Sequence, residues 1–366
     1  MNPYAWNLTD LESATKNGLR CMSTFSCGGG SSMGYKRAGY DVVLANDIDP
    51  EMAWHYKKNL HPKHYVLCPI KDLAPRLPVE VFGIDLLDGS PPCSSFSMAG
   101  DREKSWGKHK HFKEGQAVQV LDDLFFDFID LAEVIRPRAI IAENVLGLMK
   151  GNAKGYLTLI FERLREIGYR PQMFKLDASR CGVPQKRERV FVCAQRDDQP
   201  ARALTITADI PLVSARAATS DLVLTDDEVD ETRPTQAGIL TYWPLTLPGK
   251  SYAAARERAG EKSMYWGHFR LNGDAPAPTL MTQDTQYAHW SEHRHLSFRE
   301  WKRLGSFPDD YQARGSHHVG KYLIGMSVPP KMAEVVGAAV RDQWLLAPRV
   351  GRAPTRMRRI ATVNSP

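Results

Sequence analysis

The stretch Asp85–Ser97, which reads DLLDGSPPCSSFS, decides the fold because it is an apolar strand that ends in a tight loop carrying a cysteine. A glycine and two prolines restrict the backbone of that loop. In open α/β sheets, the loops at the carboxyl ends of strands carry the residues that meet ligands. A nucleophilic cysteine needs a rigid, accessible mount of this kind. Cys93 is therefore the candidate nucleophile, although an isolated cysteine is more often a small buried hydrophobe.

Strand-like and helix-like runs alternate through the first half of the chain. Apolar runs predict strands at Arg20–Phe25, Val42–Ala45, Tyr65–Leu67, Ile84–Leu87, Ala139–Ala142, Phe174–Leu176 and Val190–Ala194. Helical patterns lie at Ser32–Ala38, Pro50–Asn59, Asp122–Ile135 and Tyr156–Ile167. This βαβα order predicts an α/β fold with a doubly wound, mostly parallel sheet.

The alternation stops after Arg196. The following segment, to about His293, is rich in Thr, Pro, Ala and Gly and has no clear period, which predicts a smaller irregular domain or a long insertion. A predicted helix at Ser297–Gly305 and another at Pro330–Leu345 return to the first domain. The expected division is 1–196, 197–293, 294–346 and a basic, disordered tail at 347–366.

Composition narrows the class of protein. The chain has 366 residues, a hydrophobic fraction of 43% and a net charge of +6. It contains no run of 18 apolar residues, so we expect no membrane span. Its 6 cysteines form no CxxC pair, which argues against a metal site or a disulfide framework and favours a reducing cytoplasm.

Basic residues concentrate in two segments. The loop Asp101–Lys113 mixes lysines and histidines with Trp106 and Phe112, and the tail Arg349–Arg359 holds five arginines. Both segments fit either a solvated, mobile stretch or contact with nucleic-acid phosphates. For the loop, its position directly after Cys93 favours phosphate contact.

A glycine-rich turn follows the first strand and contains Gly28 and Gly30. Such a turn lets the backbone approach a ligand closely. Asp47 lies 19 positions beyond Gly28 at the end of the next strand, where an acid can bind ribose hydroxyls. The pair predicts an adenosine-containing cofactor, and its spacing alone does not separate NAD from S-adenosylmethionine. The turn lacks the G-x-G-x-x-G pattern, and its absence disfavours NAD.

Charged residues flank two later strands. Glu143 follows the strand Ala139–Ala142, where it either serves a heteroaromatic base as a proton donor or caps a turn. Arg187 and Arg189 precede the strand Val190–Ala194. In extended backbone both point to one face, where they either clamp a phosphate or carbonyl or form a solvated turn.

Seven short motifs occur in a fixed order: F-x-x-G-G-G-x-x-x-G, N-D-x-D, S-P-P-C, E-N-V, Q-x-R-x-R, R-x-L-S-x-x-E and I-G-x-S-V-P-P. Together they resemble the cytosine-C5 DNA methyltransferase family. The resemblance covers about Cys21–Val335, except Arg196–Leu271. It implies a methyltransferase-type sheet, a target-recognition domain in the irregular segment, and methyl transfer from S-adenosylmethionine to cytosine C5 in double-stranded DNA.

The resemblance also implies roles for individual residues. Cys93 would add to cytosine C6, Glu143 would bond the N3 edge, and Arg187 and Arg189 would hold the base carbonyl and the catalytic loop. The base must leave the helix to react. The implied cofactor residues are Phe25, Gly28, Gly30, Asp47, Ile48, Asp72, Pro92, Met326, Ser327 and Val328.

Four positions depart from the family pattern, and one of them, Asp47 in place of the more usual glutamate, keeps the same chemistry with a side chain one methylene shorter. Cys27 replaces a glycine, Cys68 stands near where an adenine-binding aspartate is usual, with Asp72 as its substitute, and Met326 replaces an asparagine. We expect an altered cofactor pocket as a result.

Two alternatives to DNA methylation stay open: RNA cytosine methylation on the same scaffold, and a catalytically silent DNA-binding protein. The Cys-Ser-Ser-Phe order after the nucleophile and the retained catalytic set argue against them. The resemblance further predicts a cytoplasmic monomer of bacterial or phage origin, with a cognate restriction endonuclease as a candidate partner.

Overall fold

Seven strands form one sheet in the computed structural model, which describes residues 2–92, 124–149, 153–235, 237–262, 268–282 and 287–347. The strands are β1 (Arg20–Thr24), β2 (Asp41–Asp47), β3 (His64–Leu67), β4 (Leu86–Gly89), β5 (Ala139–Val145), β6 (Tyr169–Asp177) and β7 (Glu188–Arg196). Their order is β3-β2-β1-β4-β5-β7-β6; β7 runs antiparallel to β5 and β6, and the other neighbouring strands pair in parallel. The predicted doubly wound, mostly parallel sheet is confirmed.

Helices cover both faces of this sheet. The helices of the described residues are α1 (Asp10–Ser13), α2 (Gly30–Arg37), α3 (Pro50–Leu60), α4 (Leu124–Ile135), α5 (Ala153–Glu166), α6 (Ala215–Thr219), α7 (Asp226–Glu231), α8 (Ala237–Tyr242), α9 (Tyr252–Arg258), α10 (Phe298–Leu304), α11 (His317–Met326) and α12 (Pro330–Val340). A π-helical turn, Arg341–Leu345, extends α12. Helices α4 and α5 share one core cluster with one face of the sheet, and α2 and α12 share another with the opposite face.

The sequence pattern explains which side chains fill each layer. Along α4, the buried Leu124, Phe125, Phe128 and Ile129 follow helical spacing and form one apolar stripe. In the strands, successive side chains alternate between faces, so all of the apolar run Ala139–Ala142 is buried beneath helices on both sides.

Strand β5 is longer than its apolar run predicts. Glu143 and Val145 belong to the strand and do not follow it, because β7 pairs with β5 as far as Val145 opposite Arg189. The prediction of a strand end at Ala142 was wrong for a physical reason. The backbone pairing of β5 with β7 continues beyond Ala142, although the side chains there change from core packing to polar contacts.

Residues beyond β7 form short helices and a two-stranded ladder, β8 (Phe269–Arg270) with β9 (Tyr287–Ala288). Their apolar residues share a core cluster with α10 and α11, which includes Leu271, Leu280, Trp290 and Trp301. The predicted domain boundaries stay a prediction. The basic loop Asp101–Lys113 and the tail predicted at 347–366 lie outside the described residues, except Ala347.

One described helical segment, His317–Leu345, is long and apolar enough to cross a membrane by length and composition. However, 67% of its most apolar window is buried inside the protein. Core helices pass the same test, so the segment is weak evidence for a membrane span.

Candidate functional site

A pocket opens at the carboxyl ends of β1, β2 and β4. Its lining residues are Phe25, Cys27, Asn46, Asp47, Ile48, Asp49, Met52, Cys68, Ile70, Ser90, Pro92, Leu124, Tyr322 and Met326. Five of the predicted cofactor residues are therefore brought together: Phe25, Asp47, Ile48, Pro92 and Met326. Cys27 and Cys68, which the sequence singled out as departures from the family pattern, also line it, whereas the remaining lining residues were missed.

The turn after β1 is strained. Phe25 and Cys27 adopt positive φ angles of 50° and 46°, a region that costs residues other than glycine about 1–2 kcal/mol. The Cys27 backbone N–H donates to Asp47 Oδ2 at 2.7 Å, which holds the turn against the end of β2. Phe25 lines the pocket, and its ring also packs against Phe128.

The Asp47 carboxylate is largely occupied by the backbone. In addition to Cys27, Asp47 Oδ1 accepts the N–H groups of Ile48 at 2.7 Å and Asp49 at 3.0 Å. Burial raises its pKa above the usual value, and the three N–H bonds oppose that rise. A carboxylate offers about four acceptor sites, so Asp47 retains roughly one for a ligand hydroxyl.

The two predicted glycines pack the turn closely against the last motif of the chain. A Cβ on Gly28 would lie 2.3 Å from Leu323 Cδ2, and one on Gly30 would lie 2.2 Å from the Val328 carbonyl oxygen. Ser327 belongs to the same closing segment, and its hydroxyl donates to the Leu323 carbonyl at 2.8 Å. These residues form the support behind the pocket and do not line it, and their roles in cofactor binding stay predictions.

The departures from the family pattern at Cys27, Cys68 and Met326 all lie in the pocket wall. Cys68 and Met326 both line it, and the Met326 side chain is half exposed. Asp72, the predicted substitute for the adenine-binding acid, lies in a 3₁₀ turn, Ile70–Asp72, and is absent from the lining of this described pocket.

A second part of the site pairs an acid with an arginine across β5 and β7. The antiparallel register sets Val145 opposite Arg189 and Glu143 opposite Phe191, so Glu143 and Arg189 are diagonal neighbours on one face. Arg189 Nε lies 3.0 Å from Glu143 Oε1, and their side chains are 15% and 12% exposed. The acid is therefore held in place yet reachable.

The strand that carries this acid is also tied to the loop after β4. Asn144 Nδ2 donates to the Pro91 carbonyl oxygen at 3.0 Å. The same loop contributes Ser90 and Pro92 to the pocket. Cys93, the predicted nucleophile, lies outside the described residues.

Arg187 has a different environment from Arg189. It is 3% exposed, and its Nη1 and Nη2 donate to the carbonyl oxygens of Leu280 at 3.1 Å and Gly325 at 2.8 Å. Burial, with the nearby Arg189 charge, lowers its pKa to about 9. Its two terminal nitrogens therefore hold backbone segments together. The partners lie 93 and 138 residues away, so no local pattern could have predicted this contact.

Sequence reasoning also missed a buried acid in β4. Asp88 is 2% exposed and accepts hydrogen bonds from Ser23 Oγ at 2.7 Å and Tyr35 Oη at 2.8 Å. Burial raises its pKa to about 7. The signal was an acid inside an otherwise apolar strand.

The arrangement combines two chemical environments at one edge of the sheet. The pocket offers apolar surfaces at Phe25 and Ile48 together with the acid Asp47, which suits a ligand with an aromatic ring and a polyol. The adjacent Glu143–Arg189 pair offers an acid and a guanidinium to a polar heterocycle. Within the described residues, no group of three or more His, Cys, Asp or Glu side chains is placed to hold a metal ion.

Known proteins are similar to this chain in sequence. The model of a family described as C-5 cytosine-specific DNA methylase matches residues 19–342. The chain is 29% identical over 360 residues to the Type II methyltransferase M.Eco47II of Escherichia coli, covering 90% of this chain and 81% of that protein. It is 25% identical over 385 residues to the Type II methyltransferase M.DdeI of Desulfomicrobium norvegicum, covering 89% of each.

Solved structures share the fold. A DNMT2 variant from Spodoptera frugiperda has a TM-score of 0.63 at 17% identity, covering 89% of this chain and 100% of that one. The Dnmt2 methyltransferase of S. pombe has a TM-score of 0.60 at 17% identity, covering 88% and 97%.

Proposed function

Because the chain belongs to the C-5 cytosine-specific DNA methylase family, we propose that it methylates cytosine in double-stranded DNA through a covalent Cys93 adduct with a flipped base. The resemblance seen in the sequence is thereby confirmed. The protein is an enzyme, a DNA cytosine-5 methyltransferase, and its methyl donor is S-adenosylmethionine.

The observation that carries the finer proposal is the Glu143–Arg189 pair beside the loop that leads to Cys93. Arg189 holds the Glu143 side chain at 3.0 Å, and Asn144 joins the same strand to Pro91. We assign Glu143 to the N3 and amino edge of the cytosine and Arg189 to its carbonyl oxygen. Each contact would become stronger as charge develops on the base.

The proposed chemistry solves a specific problem, which is that cytosine C5 is a poor nucleophile. The Cys93 thiolate adds to C6, forming a C–S bond, while Glu143 gives a proton to N3. The former C5–C6 π electrons then become available at C5 and would bond to the methyl group as its bond to the donor's sulfonium sulfur breaks, with that electron pair staying on sulfur. A base removes the C5 proton, the C5–C6 double bond re-forms, the C–S bond breaks, and N3 returns its proton to Glu143.

S-Adenosylmethionine supplies the methyl group from a sulfonium centre when it is bound. The residues around the pocket fit it: Phe25 and Ile48 offer apolar faces for the adenine, and Asp47 retains an acceptor for a ribose hydroxyl. We assign Pro92 and Met326 to the side nearest the reacting groups. Gly28, Gly30, Asp72, Ser327 and Val328 remain proposed cofactor residues that act from outside the described lining.

The remaining assignments rest on the family. We propose that residues 197–293 read the target sequence in the major groove, where base edges are distinguishable. We also propose that the enzyme acts in the cytoplasm as a monomer within a restriction–modification system, and that a cognate endonuclease is its partner. The named Type II relatives support that setting.

Nucleoside mass spectrometry tests the reaction. The full chain and a Cys93→Ala variant are expressed in a bacterial host without cytosine methylation, and the host DNA and RNA are digested. We expect a rise in 5-methyldeoxycytidine with the unaltered chain alone. Equal levels with both proteins would refute the role of Cys93, and modification confined to RNA would favour RNA methylation.

A second assay tests the covalent step. DNA that contains 5-fluorocytosine cannot lose the C5 substituent as a proton, so the Cys93 adduct should persist. With S-adenosylmethionine present, we expect a complex that survives denaturation and disappears in Cys93→Ala. Methylation without such a complex would contradict the covalent mechanism while leaving the reaction itself intact.

A further inference from the structure

A buried acid lies beneath the site, and the proposed chemistry does not use it. Asp88 is in β4, and the strand leads directly into the loop that contributes Ser90 and Pro92 to the pocket. Burying a carboxyl group is costly unless it gains hydrogen bonds. The position therefore needs an explanation that core packing alone does not provide.

Two hydroxyl groups from different elements converge on this carboxyl group. Ser23 is the register partner of Asp88 across β1 and β4, and its Oγ donates to Oδ2 at 2.7 Å. Tyr35 reaches down from α2, and its Oη donates to Oδ1 at 2.8 Å. The Asp88 carbonyl oxygen also accepts the Thr24 hydroxyl at 2.9 Å. All four residues are at most 2% exposed.

These three elements carry the two sides of the site. Strand β1 leads into Phe25 of the pocket, and α2 begins at Gly30, which packs on Val328. Strand β4 leads into Pro92. The Asp88 carboxyl group is thus the junction at which the turn of the pocket and the loop after β4 are held at a fixed spacing.

Resting on the function proposed above, we propose that Asp88 is a positioning residue for methyl transfer. Its carboxylate holds Ser23 and Tyr35 together and thereby keeps the loop that leads to Cys93 in register with the turn that carries Phe25. A small displacement between reacting groups costs a large part of the rate, up to about a hundredfold for about 1 Å.

The charge state of Asp88 decides whether the junction is complete. An ionised carboxylate accepts both hydroxyl protons, whereas a protonated one must donate, so that one hydroxyl has to turn around or lose its bond. Because the pKa of Asp88 is raised to about 7, this change falls in the neutral range.

Three of the four titratable groups that act on Asp88 do not change charge near neutral pH. Burial raises the pKa values of Cys21 in β1, Tyr35 in α2 and Tyr56 in α3, so these groups stay uncharged near neutral pH. Glu143 in β5 also acts on Asp88, and its like charge contributes to the raised pKa.

Single-turnover methyl transfer, measured from about pH 5.5 to pH 9 on a preformed complex with DNA and S-adenosylmethionine, tests the proposal. We expect the wild-type rate to rise through an inflection near pH 7, and Asp88→Asn to lose that inflection and run about 10 to 100 times slower above it. The matched control is Asp85→Asn, an acid at the opposite end of the same strand region, which pairs with Arg138. It should keep the inflection.

A second variant keeps the proposal testable if Asp88→Asn does not fold. Tyr35→Phe leaves the carboxyl group in place and removes one hydrogen bond to its charged form, so the inflection should move to higher pH. A profile of Asp88→Asn or Tyr35→Phe that superimposes on the wild type would overturn the proposal, as would an equal effect of Asp85→Asn. Wild-type protein without any methylation would instead refute the proposed function on which it rests.

Discussion

Replacing each arginine of the Q-x-R-x-R motif with methionine should have different effects. Arg187→Met should lower the stability of the fold, and Arg189→Met should lower the rate of methyl transfer. Arg187 is 3% exposed and donates to the Leu280 and Gly325 carbonyl oxygens at 3.1 and 2.8 Å. Hydrogen bonds from a charged donor contribute about 1.5–3 kcal/mol each, so two of them amount to about 3–6 kcal/mol. Methionine offsets part of this loss, because the variant no longer has to bury a charge. We therefore expect Arg187→Met to lower the free energy of unfolding by about 3 kcal/mol.

Arg189 is the matched control, because it lies two residues away in the same motif. Its described ion pair is with Glu143, and its side chain is 15% exposed. Partly solvated pairs of this kind contribute about 1 kcal/mol or less to stability. Arg189→Met should therefore stay folded and lose about 10²–10³ in the rate of methyl transfer, the loss seen when a donor to developing charge is removed.

Urea unfolding followed by tryptophan fluorescence gives the stability of both variants, and single-turnover methyl transfer gives the rate. The slope of the unfolding free energy against urea should not change if the denatured state is unaffected. A loss of less than 1 kcal/mol in Arg187→Met would refute the reasoning. So would a larger loss of stability in Arg189→Met than in Arg187→Met.

Three smaller changes test the pocket. Gly30→Ala places a Cβ 2.2 Å from the Val328 carbonyl oxygen, so chemical denaturation should show a free energy of unfolding lower by about 1–3 kcal/mol. The control is Gly155→Ala, at an exposed position in α5, which should raise the free energy of unfolding by about 0.5–1 kcal/mol. Equal effects of the two variants would contradict the packing argument. Met326→Asn adds hydrogen-bonding groups to the pocket lining, so calorimetry should show tighter S-adenosylmethionine binding, and unchanged binding would rule out an altered pocket at this position. Burial raises the pKa of Cys27 to about 12, so peptide mass spectrometry should find it alkylated by iodoacetamide about a thousandfold more slowly than a free cysteine near pH 8; comparable rates would show that the thiol is not held neutral.

The sheet could be predicted because its signals are local. A strand buried on both faces reads as a continuous apolar run, and Asp41–Asp47 and Ala139–Val145 each contain such a run. The polar residues that follow these runs were also found, since they stand next to them in the sequence. Strand ends were less predictable. The length of β5 depends on its pairing with β7, which begins more than 40 residues later in the chain.

Contacts between segments that are far apart in the sequence limit how much of the site can be predicted. Asp47 was predicted to face a ribose, and its position at the end of β2 places it in the pocket lining. Two of its three bonds to backbone N–H groups come from Ile48 and Asp49, which directly follow it, but the third comes from the strained turn at Cys27, which no spacing rule describes. Arg187 has the same limitation, because its partners come from two later segments. Sequence patterns name the residue types at the edge of the sheet, whereas packing decides what each side chain binds.

The direction of β7 explains why the arginine motif lies near the acid of β5. In a parallel strand, residues that precede the strand lie at the amino edge of the sheet, opposite the edge where ligands bind. Strand β7 runs antiparallel to β5, so its first residues, including Arg189, reach the carboxyl edge beside Glu143. The reversal therefore gives the site a cation from a position that would be on the wrong side in a wholly parallel sheet. It also predicts that shifting the register of β7 by one residue would turn Arg189 to the opposite face and break the pair with Glu143, even though every residue of the motif is retained.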